Sequence, residues 1–341
     1  MTLTAFLLIF ASATLHATWN MIAKKNRMTY PFYGLLCSAG VICFGHILLW
    51  TPVQFSELPA RYWVFLMLSV AADNLYGVAL CKIYKYVEMS VAYPMMRSLP
   101  IIFTLLVTAL FGLGKPVSPI AVAGMAVVVA GCLMMPLGHF SDFSPRNYLR
   151  PSMLFIIAAA LGTTGYTVFD SLALEAMRSW TLPAGISKTM TALSYYSCRN
   201  LTLTTSLLCF SILIPSQRKI LAQYIRERNL RPFPAGLCGV GTYSLVMIAM
   251  NYVSNVSYVQ AFRQMGLPIG VLLGIVFLKE KFSVPKLTGI MLIMVGLAAA
   301  VIPYPQQSRK AWNFLDRPPV ACYLKDISSD PRRPVRGTDG K

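Results

Sequence analysis

The stretch AYPMMRSLPIIFTLLVTALF, residues 92–111, sets Arg97 inside an apolar run of about 20 residues, the length a helix needs to cross a hydrocarbon layer. Shifted by 166 residues, the chain reads YVQAFRQMGLPIGVLLGIVF, residues 258–277, with Arg263 in the same place. The same shift lays Tyr86-Val87 on Tyr252-Val253, Phe111 on Phe277, Lys115 on Lys281 and Pro119 on Pro285. A one-residue slip then aligns Gly124 with Gly289 and Gly131 with Gly296. Nearer the start, a shift of 150 lays His16, Trp19 and Asn20 on Tyr166, Phe169 and Asp170. Unusual residues coincide, including an arginine inside each apolar span, and this reads as an internal repeat.

Working outward, apolar runs recur at 3–24, 29–51, 61–81, 90–113, 118–137, 152–174, 189–214, 235–253, 257–278 and 284–304, each bounded by Pro, Gly or charge. The expected fold is an all-α polytopic membrane protein with ten transmembrane helices in two inverted five-helix repeats. Five is odd, so the second copy enters the membrane from the side opposite to the first, and a cavity is expected between the halves. The expected organisation is a first repeat over 1–138, a connecting loop over 139–151, a second repeat over 152–304 and a disordered basic tail over 305–341. The seventh run carries Ser194-Tyr195-Tyr196-Ser197-Cys198-Arg199-Asn200 near its middle, so its polar face is expected to look inward.

Of the 341 residues, 56% are hydrophobic and 12% charged, which excludes an ordinary soluble enzyme. The net charge of +18 is spread over short gaps between apolar runs and is not gathered on a polar surface, so nucleic acid is not an expected partner. Odd loops carry Lys24, Lys25 and Arg27, then Lys82 and Lys85, Arg146 and Arg150, five bases from Arg218 to Arg231, and Lys279, Lys281 and Lys286. Even loops hold Arg61, Lys115, Arg178 and Lys188, so the count puts odd loops in the cytoplasm and both termini outside, while the eight bases of the tail pull the other way. The cysteines form no C-x-x-C pair and read as small apolar residues. The opening run, Met1 to Ala17, has no base ahead of it and an internal counterpart near residue 160, so it reads as a span and not a signal peptide.

Charges within spans are costly, about 2.5–3.5 kcal/mol each, and need a partner or a wet cavity. The candidates are Asp73, Arg97, Asp170, Arg199 and Arg263. If all line one cavity, an unpaired positive charge remains, suited to a carboxylate, phosphate or phosphonate. Helical spacing gathers Ser12, His16, Trp19 and Asn20 on one face; Thr163, Tyr166, Thr167 and Asp170 on another; and Tyr93, Arg97, Thr104 and Thr108, and Gln260, Arg263 and Gln264, on two more. The competing reading makes Asp73 with Arg97, and Asp170 with Arg263, permanent ion pairs between helices. His16, Trp19 and Phe169 equally fit packing roles, and His46 reads as structural. Pro94, Pro100 and Pro268 allow helix breaks or kinks beside the two arginines, and the paired glycines permit close helix approach.

No His-Glu-x-x-His, Gly-x-Ser-x-Gly or Walker-type motif occurs in the sequence. No catalytic residue, metal ligand or cofactor is therefore expected, and uphill movement of a solute would draw on an ion gradient with Asp170 or Asp73 carrying protons.

Leu15-His16-Ala17-Thr18-Trp19-Asn20 with Ala23-Lys24, and Ala92-Tyr93-Pro94-Met95-Met96-Arg97, resemble the EamA-like branch of the drug/metabolite transporter superfamily. Ser257-Tyr258-Val259-Gln260-Ala261-Phe262-Arg263-Gln264, followed by Leu278-Lys279-Glu280-Lys281, is similar to that family's ninth span and following loop. The resemblance covers residues 1–304 and implies ten helices, alternating access, and a pocket holding His16, Trp19, Asn20, Tyr93, Arg97, Tyr258, Arg263 and Gln264. Gly112-Leu113-Gly114-Lys115 lacks the glutamate that the family places after its fourth span. The expected function is export of a small anionic or zwitterionic metabolite across the inner (plasma) membrane. Asp73, Tyr166, Asp170 and Gln260 complete the expected substrate site. The partners are the metabolite and the lipid bilayer, with a homodimer as an open option. The rival reading is a membrane sensor or scaffold that transports nothing.

Overall fold

In hydrocarbon each backbone N–H and C=O has to be satisfied within its own segment, so apolar runs of this length fold as helices. The computed structural model describes residues 2–26, 29–86, 89–114, 116–134, 137–144, 153–269 and 283–301, and the described residues contain helices and no strand. The helices are α1 (Leu3–Lys25), α2 (Tyr30–Phe44), α3 (Ile47–Trp50), α4 (Ala60–Tyr86), α5 (Met89–Leu110) and α6 (Pro119–Met134). They continue as α7 (Met153–Thr181), α8 (Lys188–Leu213), α9 (Pro215–Arg226), α10 (Pro232–Ala249), α11 (Val256–Phe262) and α12 (Val284–Val301). Local chemistry sets several starts: Thr29 Oγ1 accepts from the Phe32 amide at 3.3 Å, Ser187 Oγ accepts from the Met190 amide at 3.2 Å, and prolines open α9 and α10.

Among the described residues four segments are long and apolar enough to cross a membrane: Tyr30–Trp50, Ala60–Ile83, Met153–Thr181 and Pro232–Ala249. The α8 helix reaches the same length and apolarity only together with α9, which is bent by 110° against it, so it is a fifth candidate with a break at its end. These segments mark a membrane protein.

Several expectations from hydropathy are corrected. The α4 helix runs to Tyr86 and takes Lys82 out of the expected loop, while α7 runs to Thr181, well past residue 174. The basic stretch after residue 214 begins as a helix of its own, α9. Prolines 94 and 100 leave α5 continuous; the change of geometry comes after Phe262, where α11 gives way to a 3-10 turn at Arg263–Met265, ahead of Pro268. Gly270, Gly274, Lys279, Glu280, Lys281, Lys115, Arg146, Arg150 and the tail over 305–341 lie outside the described residues.

The packing pairs are α4 with α7, α6 with α12, α1 with α10, and α2 with α8; α10 also meets α2, and α5 meets α7 and α6. Without a hydrophobic drive between helices in lipid, close backbone contact supplies the association. At the α6–α12 seam a methyl added to Gly124 would sit 2.5 Å from the Gly296 carbonyl oxygen, and one added to Gly131 2.7 Å from that of Gly289. Here the expected role of these glycines is met. The α9 helix ends where Arg228 adopts a left-handed backbone, φ 49°, and the Asn229 amide donates to the Tyr224 carbonyl at 3.0 Å. Glycine is the usual occupant of such a turn, and a side chain there costs about 1–2 kcal/mol.

Gly124→Ala is expected to force α6 and α12 apart and to destabilise the protein by about 1–3 kcal/mol. Gly239→Ala, where the added methyl meets Leu36 Cδ2 at an ordinary 3.5 Å, is expected to be near neutral. Thermal unfolding of the two purified variants checks the contrast.

Candidate functional site

The polar face of α8 does look inward: Tyr195, Tyr196, Arg199 and Asn200, at helical spacing, are all buried. Arg199 is the hub. Its Nη2 donates to Asp73 Oδ2 of α4 at 2.8 Å, and its Nε donates to Asp170 Oδ1 of α7 at 2.9 Å. Each carboxylate is further held by hydroxyls. Tyr33 of α2 donates to Asp73 Oδ1 at 2.6 Å, Tyr195 donates to Asp170 Oδ1 at 2.6 Å, and Ser69 and Tyr243 also donate to Asp170. The ring of Tyr243 lies 4.7 Å from the Arg199 guanidinium carbon and that of Tyr166 lies 5.7 Å away, both within cation–π range. One buried arginine thus bridges two acids, and α2, α4, α7, α8 and α10 all contribute to the network.

This pairing corrects the competing reading of static ion pairs. Asp73 and Asp170 were candidates for Arg97 and Arg263; both ion pairs go instead to Arg199, whose side chain reaches them from one face of α8. Among the described residues, no carboxylate forms an ion pair with Arg263, although this side chain is only 7% exposed. Its guanidinium carbon lies 5.8 Å from the centre of the Tyr243 ring.

Two adjoining cavities flank this network. The first, about 50 Å³, is lined by residues that include His16, Arg97, Thr163, Gln260, Arg263 and Gln264. The second, about 90 Å³, has Trp19, Asp73, Tyr196, Arg199, Tyr243 and Arg263 in its wall. His16, Tyr76, Tyr166 and Arg263 border both. At about 30 Å³ per water molecule, these volumes match a few waters and not a metabolite.

Within the first cavity Gln260 Nε2 donates to Thr167 Oγ1 at 2.7 Å, and Gln264 Nε2 donates to the Gln260 carbonyl at 3.1 Å. Gln264 Oε1 is buried with no hydrogen-bond partner among the described residues. A buried acceptor left open in this way is costly unless a donor arrives. Trp19 Nε1 donates to His16 Nδ1 at 2.9 Å, which orients the imidazole at the junction of the cavities.

The structure therefore brings together His16, Trp19, Asp73, Arg97, Tyr166, Gln260, Arg263 and Gln264. Two expected site residues lie elsewhere. Tyr258 lines neither cavity because it precedes Arg263 by five residues, about 140° around a helix. Asp170 is fully buried by its donors and borders neither cavity. The side chains of Asn20 and Tyr93 lie outside the described residues. Phe169 stacks on Phe65, with centroids 6.5 Å apart, and forms no cavity wall. His46 packs beside Trp50. Sequence spacing marks Arg199 as an intramembrane charge and Tyr195 as part of an inward face, but it does not mark Arg199 as the hub or Tyr33, Ser69 and Tyr243 as its partners. The four-residue steps from Ser69 to Asp73 and from Tyr195 to Arg199 carry that signal, since they place donor and charge on one helical face. Among the described residues no His, Cys, Asp or Glu cluster could hold a metal ion.

No protein-family model and no curated protein matches the chain. Among solved structures 27 chains match. One, described only as "Crystal structure of protein", superposes with a TM-score of 0.59 at 17% sequence identity, covering 87% of this chain and 98% of that chain. At that identity the likeness shows the fold alone.

Removing Arg199 strands two buried carboxylates, so Arg199→Gln is expected to cost about 3–5 kcal/mol. Arg263→Gln breaks no ion pair with a described carboxylate but loses a hydrogen bond to Tyr166 and the contact with the Tyr243 ring, and is expected to cost about 1–2 kcal/mol, less than the loss of Arg199. Thermal unfolding of the two variants separates an arginine that holds the fold from one available to a ligand.

Proposed function

We propose that this chain is a secondary transporter of a small anionic or zwitterionic metabolite, belonging to the EamA-like branch of the drug/metabolite transporter superfamily and acting as an exporter in the inner (plasma) membrane. The observation that carries the reading is Arg263, buried on a wall shared by two cavities, facing no described carboxylate and accompanied by Arg97 in the first of them. A cation held in that way suits a ligand that brings negative charge, and the nearby Gln264 Oε1 suits a donor on the same ligand, as a zwitterion supplies.

Ten spans in two inverted repeats, over 1–138 and 152–304, account for the packing pairs. A two-fold axis exchanging the repeats turns the α4–α7 pair, third span on sixth, into the α10–α1 pair, eighth on first. It turns α6–α12 and α2–α8 into themselves, and it carries the Gly124–Gly296 approach onto Gly289–Gly131. The small cavities fit a closed state, and transport then requires the halves to rock and widen them. Of the two candidate proton carriers for uphill transport, Asp73 is favoured because it borders the second cavity, whereas Asp170 is sealed among donors.

The rival reading, a sensor or scaffold, draws on the Arg199 network, whose ion pairs are complete without any ligand. Counterflow decides between them. Proteoliposomes are loaded with a panel of labelled small carboxylates, phosphate esters and zwitterions. The wild type is expected to exchange at least one class. Arg263→Gln and Arg97→Gln are each expected to slow that exchange by about 10-fold or more, the value of a lost charge-assisted contact. Exchange unchanged in both variants removes the arginine assignment, and a wild type inert to every class favours the scaffold.

A further inference from the structure

We propose that α9 is a binding site for an anionic phospholipid leaflet: it lies in the membrane interface, sets an apolar edge among the headgroups and presents its basic side chains to their phosphates. The inference rests on the membrane reading of α8 and is independent of transport.

Geometry excludes α9 as the continuation of a span. Its 12 residues extend about 18 Å, well short of the ~30 Å hydrocarbon layer. The 110° bend against α8 lays it within about 20° of the bilayer plane when α8 stands upright. Its inner face is anchored on the protein, with Leu221 buried and the Tyr224 ring edge-on to Phe32 of α2 at 6.3 Å. Less than a quarter-turn away, Ile214 and Ile225 are exposed, and Leu213 and Leu230 extend the apolar edge at either end. Arg218, Lys219 and Arg226 follow beyond that edge, all exposed, with Arg228 and Arg231 in the turn after the helix.

Over residues 215–231 these five bases face a single acid, Glu227, which accepts from Gln223 Nε2 at 2.8 Å. An apolar edge bordered by arginine and lysine is what an interfacial helix presents to an anionic surface, and guanidinium groups pair with phosphate through two parallel hydrogen bonds. Arg228 adds a second line of support. It keeps a long basic side chain in the left-handed turn where glycine fits more easily. Because α9 rests on α2, whose Tyr33 holds Asp73, lipid bound here steadies one edge of the Arg199 network.

The full chain is placed in nanodiscs of phosphatidylcholine alone and of phosphatidylcholine mixed with phosphatidylglycerol, and thermal unfolding is followed. The wild type is expected to gain about 3–5 °C in the mixed discs, with the gain shrinking in high salt. The triple variant Arg218→Gln, Lys219→Gln, Arg226→Gln is expected to match the wild type in phosphatidylcholine and to lose the gain. Equal unfolding temperatures for the wild type in both discs overturn the proposal, as does a triple variant that gains as much as the wild type. Should the triple variant not fold, Arg228→Gly with Arg231→Gln serves instead: a gain cut to about half supports the leaflet site, and a full gain overturns it. Soluble glycerol phosphate added to phosphatidylcholine discs is expected to give no gain. A full gain from it would assign a free-phosphate site and overturn the leaflet.

Discussion

Arg199 is the constraint on which the rest of the bundle depends. Two carboxylates on different helices, Asp73 and Asp170, sit in a buried region and share one guanidinium. Charges in that setting persist only when geometry and hydrogen bonding make up for lost hydration. Here the compensation comes from four hydroxyls and two aromatic faces supplied by neighbouring helices. The fit of α2, α4, α7, α8 and α10 around one point follows from that need. Sliding any of them by a helical turn would strand an acid.

Satisfying both acids at Arg199 has a second effect. It leaves Arg263 on the cavity wall facing no described carboxylate. Asp73, Asp170, Arg97, Arg199 and Arg263 together carry a net charge of +1. Arg199, which holds the acids, and Arg263, on the cavity wall, both lie against the ring of Tyr243.

Much of this was legible in the residues. Hydropathy located most of the described apolar helices, because a run of apolar side chains in lipid has one stable backbone, but it did not mark the basic α9. Glycine spacing pointed to the α6–α12 seam, since closely approaching backbones admit no side chain between them. The stripes carrying His16 and Trp19, Tyr166 and Thr163, and Gln260, Arg263 and Gln264 do meet at the cavities. What spacing along the chain does not carry is rotation and depth. Tyr258 belongs to the same motif as Arg263 yet faces another way, and Asp170 lies on the stripe but beneath a cage of hydroxyls. The choice among three arginines for two acids is likewise a matter of reach across helices. The end of α11 at a 3-10 turn, with α5 unbroken, shows that proline permits a change of geometry without dictating where it occurs.

The distance along the chain between these charges matters before the protein is finished. Asp73 is synthesised 126 residues ahead of Arg199, and Asp170 precedes it by 29. During biogenesis α4 therefore enters the bilayer before the arginine that pairs with its acid has been made, while Tyr33 of α2 is already present to donate to it. Lateral release from the insertion machinery is correspondingly unfavourable until α8 emerges. The nascent helices have to be retained together, and α8 is the one whose arrival lets the assembly close.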